Sequence, residues 1–195
     1  MQQINDFCSF CMKSKLILEN ALKKIVIIGP ESTGKSTITE SLARHFDTAF
    51  VPEFARTYLE SLNRPYAYPD LLEIAKGQVA LEEEQGRHTR NNLLFCDTDL
   101  YVLKVWSEHK YGKCHPWILE QIARQHYDLY LLTDIDMPWT PDPQREHPQP
   151  EMRAYFFRIY QEIMLQSNRP WRLLSGNEKE RFLKGVEIIN DFLKD

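Results

Sequence analysis

Gly29-Pro30-Glu31-Ser32-Thr33-Gly34-Lys35-Ser36 fits the pattern G-x-x-x-x-G-K-[ST]. Ahead of it, Lys24-Ile25-Val26-Ile27-Ile28 is a short β-branched run of the kind that forms a buried strand. Behind it, Ser36 to Phe46 predicts a helix with Ile38, Leu42 and Phe46 on one stripe. An ordinary glycine turn would match the pattern by chance, but the strand before it and the helix after it supply the context the motif needs. The glycines let the backbone wrap closely, so that successive N–H groups point at phosphate oxygens beside a helix N-terminus. Candidate nucleotide-binding residues are therefore Gly29, Glu31, Ser32, Thr33, Gly34, Lys35, Ser36 and Thr37. Lys35 would reach the β- and γ-phosphates, and Ser36 would be a ligand of Mg²⁺.

The 195 residues suffice for one domain with a sizeable core. Apolar residues make up 43% and charged residues 27%, an ordinary globular balance that argues against disorder. A net charge of −4 argues against a nucleic-acid binder acting through bulk electrostatics. No apolar stretch approaches the roughly 18 residues of a spanning helix. Asn5, Asp6, Lys13 and Lys15 interrupt any signal-peptide core, so a cytoplasmic protein without a membrane partner is expected. Residues 1–22 read as a loose extension and 23–195 as the working domain. Cys8 and Cys11 form a lone C-x-x-C without the further ligands a zinc or redox site needs. Cys96 reads as core and Cys114 as a helix-boundary residue.

Downstream, strands and helices alternate. Strands are expected at 48–51, 92–96, 129–132 and 171–174. Helices are expected from Glu53 to Leu62, from an N-cap at Asp70 through Leu81, from Leu100 through Val105, over Pro116–Gln125, over Met152–Leu165 and over Glu178–Leu193. The triplet Glu82-Glu83-Glu84 reads as a solvated helix end. This alternation predicts a three-layer α/β fold, a five-stranded parallel sheet covered by helices on both faces.

Ligands of open α/β sheets sit beyond the carboxyl ends of the strands, and three clusters fall there. Asp97-Thr98-Asp99 follows the third strand; Asp97 has the position of a Mg²⁺-holding acidic residue, while Asp99 could face a substrate hydroxyl or cap the next helix. Glu53 follows the second strand, where a carboxylate could take the proton of an attacking hydroxyl, or merely favour a helix N-terminus. Arg56, on the same helical face, could hold Glu53 or an acceptor. The irregular stretch from Asp134 to Pro150 is long enough to be a lid, with Arg145 able to close over phosphates; the alternative is a solvated loop. His115 and His147 lack evident partners and read as structural or surface residues.

Together the loop Gly29–Ser36, Glu53-x-x-Arg56, Phe95-Cys96-Asp97-Thr98-Asp99, Tyr111-Gly112-Lys113 before His115-Pro116, and Trp139-x-x-Asp142-x-x-Arg145 resemble the ribosylnicotinamide kinase domains of the NadR family. The resemblance runs from Lys23 to the C-terminus. It implies a nucleoside/nucleotide-kinase fold with a lid, and ATP- and Mg²⁺-dependent phosphorylation of the 5′-hydroxyl of nicotinamide riboside. In that family the kinase is joined to a DNA-binding segment and an adenylyltransferase; these 195 residues are expected to hold the kinase part alone. The catalytic set carried over is Lys35, Glu53, Asp97 and Arg145, with Ser36 and Asp97 at the metal. Glu53, Arg56, Asp99 and either Tyr58 or Trp139 would meet the acceptor, a small-molecule nucleoside. The alternatives are a kinase of another nucleoside or nucleotide, and a non-catalytic ATP-binding regulatory switch.

Overall fold

A computed structural model describes residues 21–194. Cys8, Cys11 and nearly all of the expected extension lie outside these residues. Five strands, β1 (Lys23–Ile28), β2 (Phe50–Val51), β3 (Leu93–Asp97), β4 (Leu129–Thr133) and β5 (Trp171–Leu174), form one sheet in the order β2-β3-β1-β4-β5. Every pairing is parallel. Seven helices surround it among the described residues: α1 (Lys35–His45), α2 (Phe54–Ser61), α3 (Tyr68–Gly86), α4 (Leu100–Tyr111), α5 (Pro116–Arg124), α6 (Pro150–Gln166) and α7 (Glu178–Phe192). This is the architecture the alternation predicts.

Strand periodicity of two sorts the core. Ile25 and Ile27 of β1 face α1 and α7, packing with Ile38, Leu42 and Ile189. Val26 and Ile28 point the other way, onto Val105 of α4 and Phe156, Tyr160 and Met164 of α6. A third cluster joins α2, α3, α4 and α5 through Ala55, Leu71, Ile74, Leu103 and Ile118. Burial on both faces explains why β1, β3 and β4 read as continuous apolar runs rather than alternating ones. Cys96 is fully buried in that core, as expected.

Several boundaries differ from the sequence reading, each for a local reason. The third helix begins at Tyr68 with Ala67 as its N-cap, because Pro69 is tolerated in a first turn where N–H groups have no intrahelical partner. Asp70 is thus not the cap. It lies one turn in and accepts the Ala67 N–H, the Arg64 guanidinium and the Tyr58 hydroxyl. Glu82 is not solvated: it is 1% exposed, takes the Tyr127 hydroxyl on both oxygens and pairs with Lys24. The helix after Asp99 continues to Tyr111, well past Val105, and ends at Gly112. That extra length supplies one wall of the site.

Candidate active site

The first strand ends at Ile28, and Gly29 turns the chain at φ 147°. A Cβ there would collide with the Thr133 hydroxyl on β4, so glycine is needed for the close approach. The loop then runs through Ser32 at φ 56° and Gly34 at φ 74°, and Lys35 opens α1. Thr33 pins it from within, its hydroxyl bonding Pro30 O at 2.8 Å and Thr133 Oγ1 at 2.7 Å. Lys35 Nζ folds back onto Pro30 O at 2.7 Å, which places its charge over the concavity of the loop. Two arginines hold consecutive loop carbonyls from outside. Arg153 of α6 donates to Ser32 O, and Arg181 of α7 donates to Thr33 O at 2.6 Å. Arg181 is 1% exposed and also donates to Gly176 O, Asp134 O and the Asp136 carboxylate. Holding these two carbonyls from the flanking helices suits a loop whose successive N–H groups converge on an anion.

Asp97 lies beneath this concavity as the last residue of β3, 3% exposed. One carboxylate oxygen is buried with no hydrogen-bond partner among the described residues, an arrangement a native fold rarely keeps without a ligand. Burial first, and then the charge of Glu53, pushes its pKa up to about 6, with Lys35 and the Ser36 hydroxyl opposing. Asp99 has a different surrounding. It caps α4 by accepting the Tyr101 N–H at 2.9 Å and receives the Tyr130 hydroxyl at 2.8 Å. Burial pushes its pKa up to about 7. Its carboxylate is occupied by the protein, so the capping reading accounts for it and the acceptor-contact reading does not. Thr98, between the two, holds φ 75°, an uncommon value for a β-branched residue.

One cavity spans the P-loop and the neighbouring helices. Its floor is Gly29 through Thr37, and its near side is Glu53, Ala55, Arg56 and Leu59 of the β2–α2 segment. Its far wall is Val102, Val105, Trp106 and His109, one face of α4, with Arg153, Phe156 and Tyr160 of α6 opposite. Glu53 stands at the N-cap position of α2 but makes no side-chain capping bond, which leaves its carboxylate available to the cavity. Arg56 lines the cavity and pairs with Asp142 at 3.1 Å. Tyr58 and Trp139 do not line it. The Tyr58 hydroxyl is on Asp70, and Trp139 lies under the Arg153 guanidinium.

The segment from Asp134 to Gln149 folds over the loop rather than into solvent. Glu31 accepts the backbone N–H groups of Glu146 and His147, each at 3.1 Å. Ser32 Oγ accepts the Thr140 N–H at 2.8 Å and the Arg145 guanidinium at 3.3 Å. Gln144, Arg145, Glu146 and His147 reach the cavity. His147 is therefore a cavity residue, contrary to its sequence reading, and its ring meets His109 and Phe156 edge-on or tilted. His115 is structural, its ring accepting the Trp117 N–H as the cap of α5. The α4 and α6 wall escaped the sequence reading because apolar side chains at helical spacing look the same whether they face a core or a cavity. The one available signal was Trp106 and His109 on the same stripe as Val102 and Val105.

The strand–loop–helix unit, the sheet order and the acid at the end of β3 define a P-loop nucleotide-binding domain of nucleoside/nucleotide-kinase type. Residues 24–181 match a family model described as an AAA domain, and the chain belongs to that family. Among curated proteins, the chain is 27% identical over 177 residues to the trifunctional NAD biosynthesis/regulator protein NadR of Escherichia coli (strain K12). That match covers 88% of this chain and 43% of the relative, so the chain spans less than half of that protein's length. Two solved NadR structures share the fold. One, in complex with NAD and AMP-PNP, has a TM-score of 0.70 at 23% identity over 89% of this chain and 50% of the other. The second, in complex with NR, has a TM-score of 0.72 at 21% identity over 89% and 52%. Thymidylate kinase from Ehrlichia chaffeensis follows with a TM-score of 0.59 at 13% identity, over 87% of this chain and 99% of that one.

Proposed function

We propose that this chain is an ATP- and Mg²⁺-dependent kinase that phosphorylates the 5′-hydroxyl of nicotinamide riboside, giving nicotinamide mononucleotide, in the cytoplasm. The observation that carries the reading is the single cavity joining the P-loop, the uncapped Glu53 carboxylate and an aromatic wall. Solved NadR structures with an ATP analogue and with NR support the two ligands.

In this mechanism Lys35 leaves Pro30 O for the phosphates, which the loop amides cradle. Ser36 and Asp97 suit Mg²⁺, a hard cation that takes oxygen ligands, and the orphaned buried oxygen of Asp97 fits that use. When bound, the ion offsets charge on the phosphates. Glu53 accepts the proton of the acceptor hydroxyl as its oxygen bonds the γ-phosphorus and the bond to the β-phosphate oxygen breaks, releasing ADP. Arg145 shifts from Ser32 Oγ to the transferred group and offsets charge there. Arg56 approaches the acceptor from α2.

ADP release with Mg²⁺-ATP, with and without nicotinamide riboside, tests this directly. Riboside-dependent turnover is expected, with Lys35→Ala lowering kcat by on the order of 10³. The second reading keeps the chemistry and changes the acceptor. It is favoured by the mainly apolar character of the α4 wall, where Val102, Val105 and Trp106 offer shape rather than a base-specific hydrogen bond. A panel of nucleosides and nucleoside monophosphates separates the two. Mg²⁺-ATP binding without turnover on any of them would point instead to a regulatory switch.

A further inference from the structure

Three phenols lie in the core beneath the cavity, and they are not equivalent. Tyr127 donates to Glu82 and Tyr130 donates to Asp99, so each buried hydroxyl has a carboxylate partner. Tyr160, on the same face of α6 as Arg153 and Phe156, is 5% exposed and lines the cavity. Its hydroxyl makes no hydrogen bond to the protein among the described residues and is not one of the fully buried polar atoms, so it keeps access to the cavity. The oxygen adds nothing to the packing of the core, which a phenylalanine would supply as well. Its accessible edge opens into the cavity, where a ligand can complete it.

The surroundings say which atom the hydroxyl would meet. Burial, followed by the negative charges of Glu53, Asp99 and Glu31, holds the Tyr160 phenol above its ordinary pKa, so it stays protonated and can donate. Tyr160 lines the same cavity as Glu31 of the P-loop and Glu53 of the β2–α2 segment. An acceptor whose hydroxyl touches Glu53 and faces the γ-phosphate must lay its sugar across that space. We infer that Tyr160 is a substrate-contacting residue that donates its phenolic O–H to a sugar oxygen of the acceptor nucleoside. The inference rests on the kinase reading, and it adds a recognition group that neither the P-loop nor the acidic residues supply.

Tyr160→Phe removes one oxygen and leaves the packing intact. The variant is expected to melt at or above the wild-type temperature and to bind Mg²⁺-ATP within about twofold of wild type. Its kcat/KM for nicotinamide riboside is expected to fall by roughly tenfold, the scale of one lost hydrogen bond in an enclosed site. An unchanged kcat/KM would overturn the assignment. So would a melting temperature clearly below wild type, which would show that the hydroxyl serves the fold, or a loss confined to Mg²⁺-ATP affinity, which would place it on the phosphates. Wild-type protein that turns over no nucleoside would defeat the kinase reading and this inference with it, an outcome distinct from an active wild type and an equally active variant.

Discussion

The two ends of the cavity are built in different ways. The nucleotide end is one contiguous segment, Gly29 to Thr37, whose shape is fixed by glycines, by Thr33 and by two arginines behind it. The acceptor end is assembled from side chains on α2, α4 and α6, scattered along the chain from Ala55 to Tyr160. A phosphate is the same in every nucleotide, so its cradle can be a fixed local motif made of backbone. An acceptor's base and sugar vary, and side chains on separately adjustable helices suit that variation.

Glu53 stands between the ends and gives the sharpest test of their separation. Glu53→Gln should lower kcat by about 10² or more, as expected for loss of a general base, while Mg²⁺-ATP affinity measured by calorimetry stays near wild type. An unchanged kcat would remove Glu53 from the role of base, and a parallel loss of ATP affinity would mean that the ends are not independent.

Arg181→Met should act on the nucleotide end alone. Removing one partner of a buried pair is destabilising, and here it strands Asp136 and the carbonyls of Thr33, Asp134 and Gly176, so the melting temperature should fall and affinity is read well below it. Losing the hold on Thr33 O should weaken Mg²⁺-ATP by about tenfold, the scale of a charge-assisted hydrogen bond, with the riboside KM unaffected. Equal losses for both ligands would merge the two ends into one unit.

The smallest effect concerns stability without ligand. The Asp97 carboxyl has a folded pKa near 6 against 3.8 for the free group. The folded state thus holds its proton more tightly, and stability declines as pH rises from 3.8 to about 6, with the loss complete above that. Asp97→Asn should therefore raise the melting temperature of the ligand-free protein at pH 7 by about 5 °C, with little effect at pH 3.5. No rise at pH 7 would mean that the orphaned oxygen is compensated.

This asymmetry also decides what a reader of the sequence can see. The P-loop, the acid at the end of β3, the alternation of strands and helices and the glutamate after β2 are contiguous signals and were legible, whereas the strand order was not. Arg181 was not, because its partners at Thr33, Asp134 and Gly176 are brought together only by the crossover connections of the sheet. Glu82 was misread because two more glutamates follow it; only the packing of α3 shows that one of the three faces Tyr127. Tyr58 and Trp139 drew attention as aromatics near motifs, yet their side chains are taken by Asp70 and Arg153. The wall of α4 was legible as a helix but not as a wall.

Glu31 occupies a variable position of the P-loop pattern, and its carboxylate accepts the amides of Glu146 and His147. The loop and the covering segment are thus a matched pair in this chain. A graft of either one alone into another kinase would strand a carboxylate or two amides, so the interchangeable part is the pair, and evolution or engineering would have to move both together.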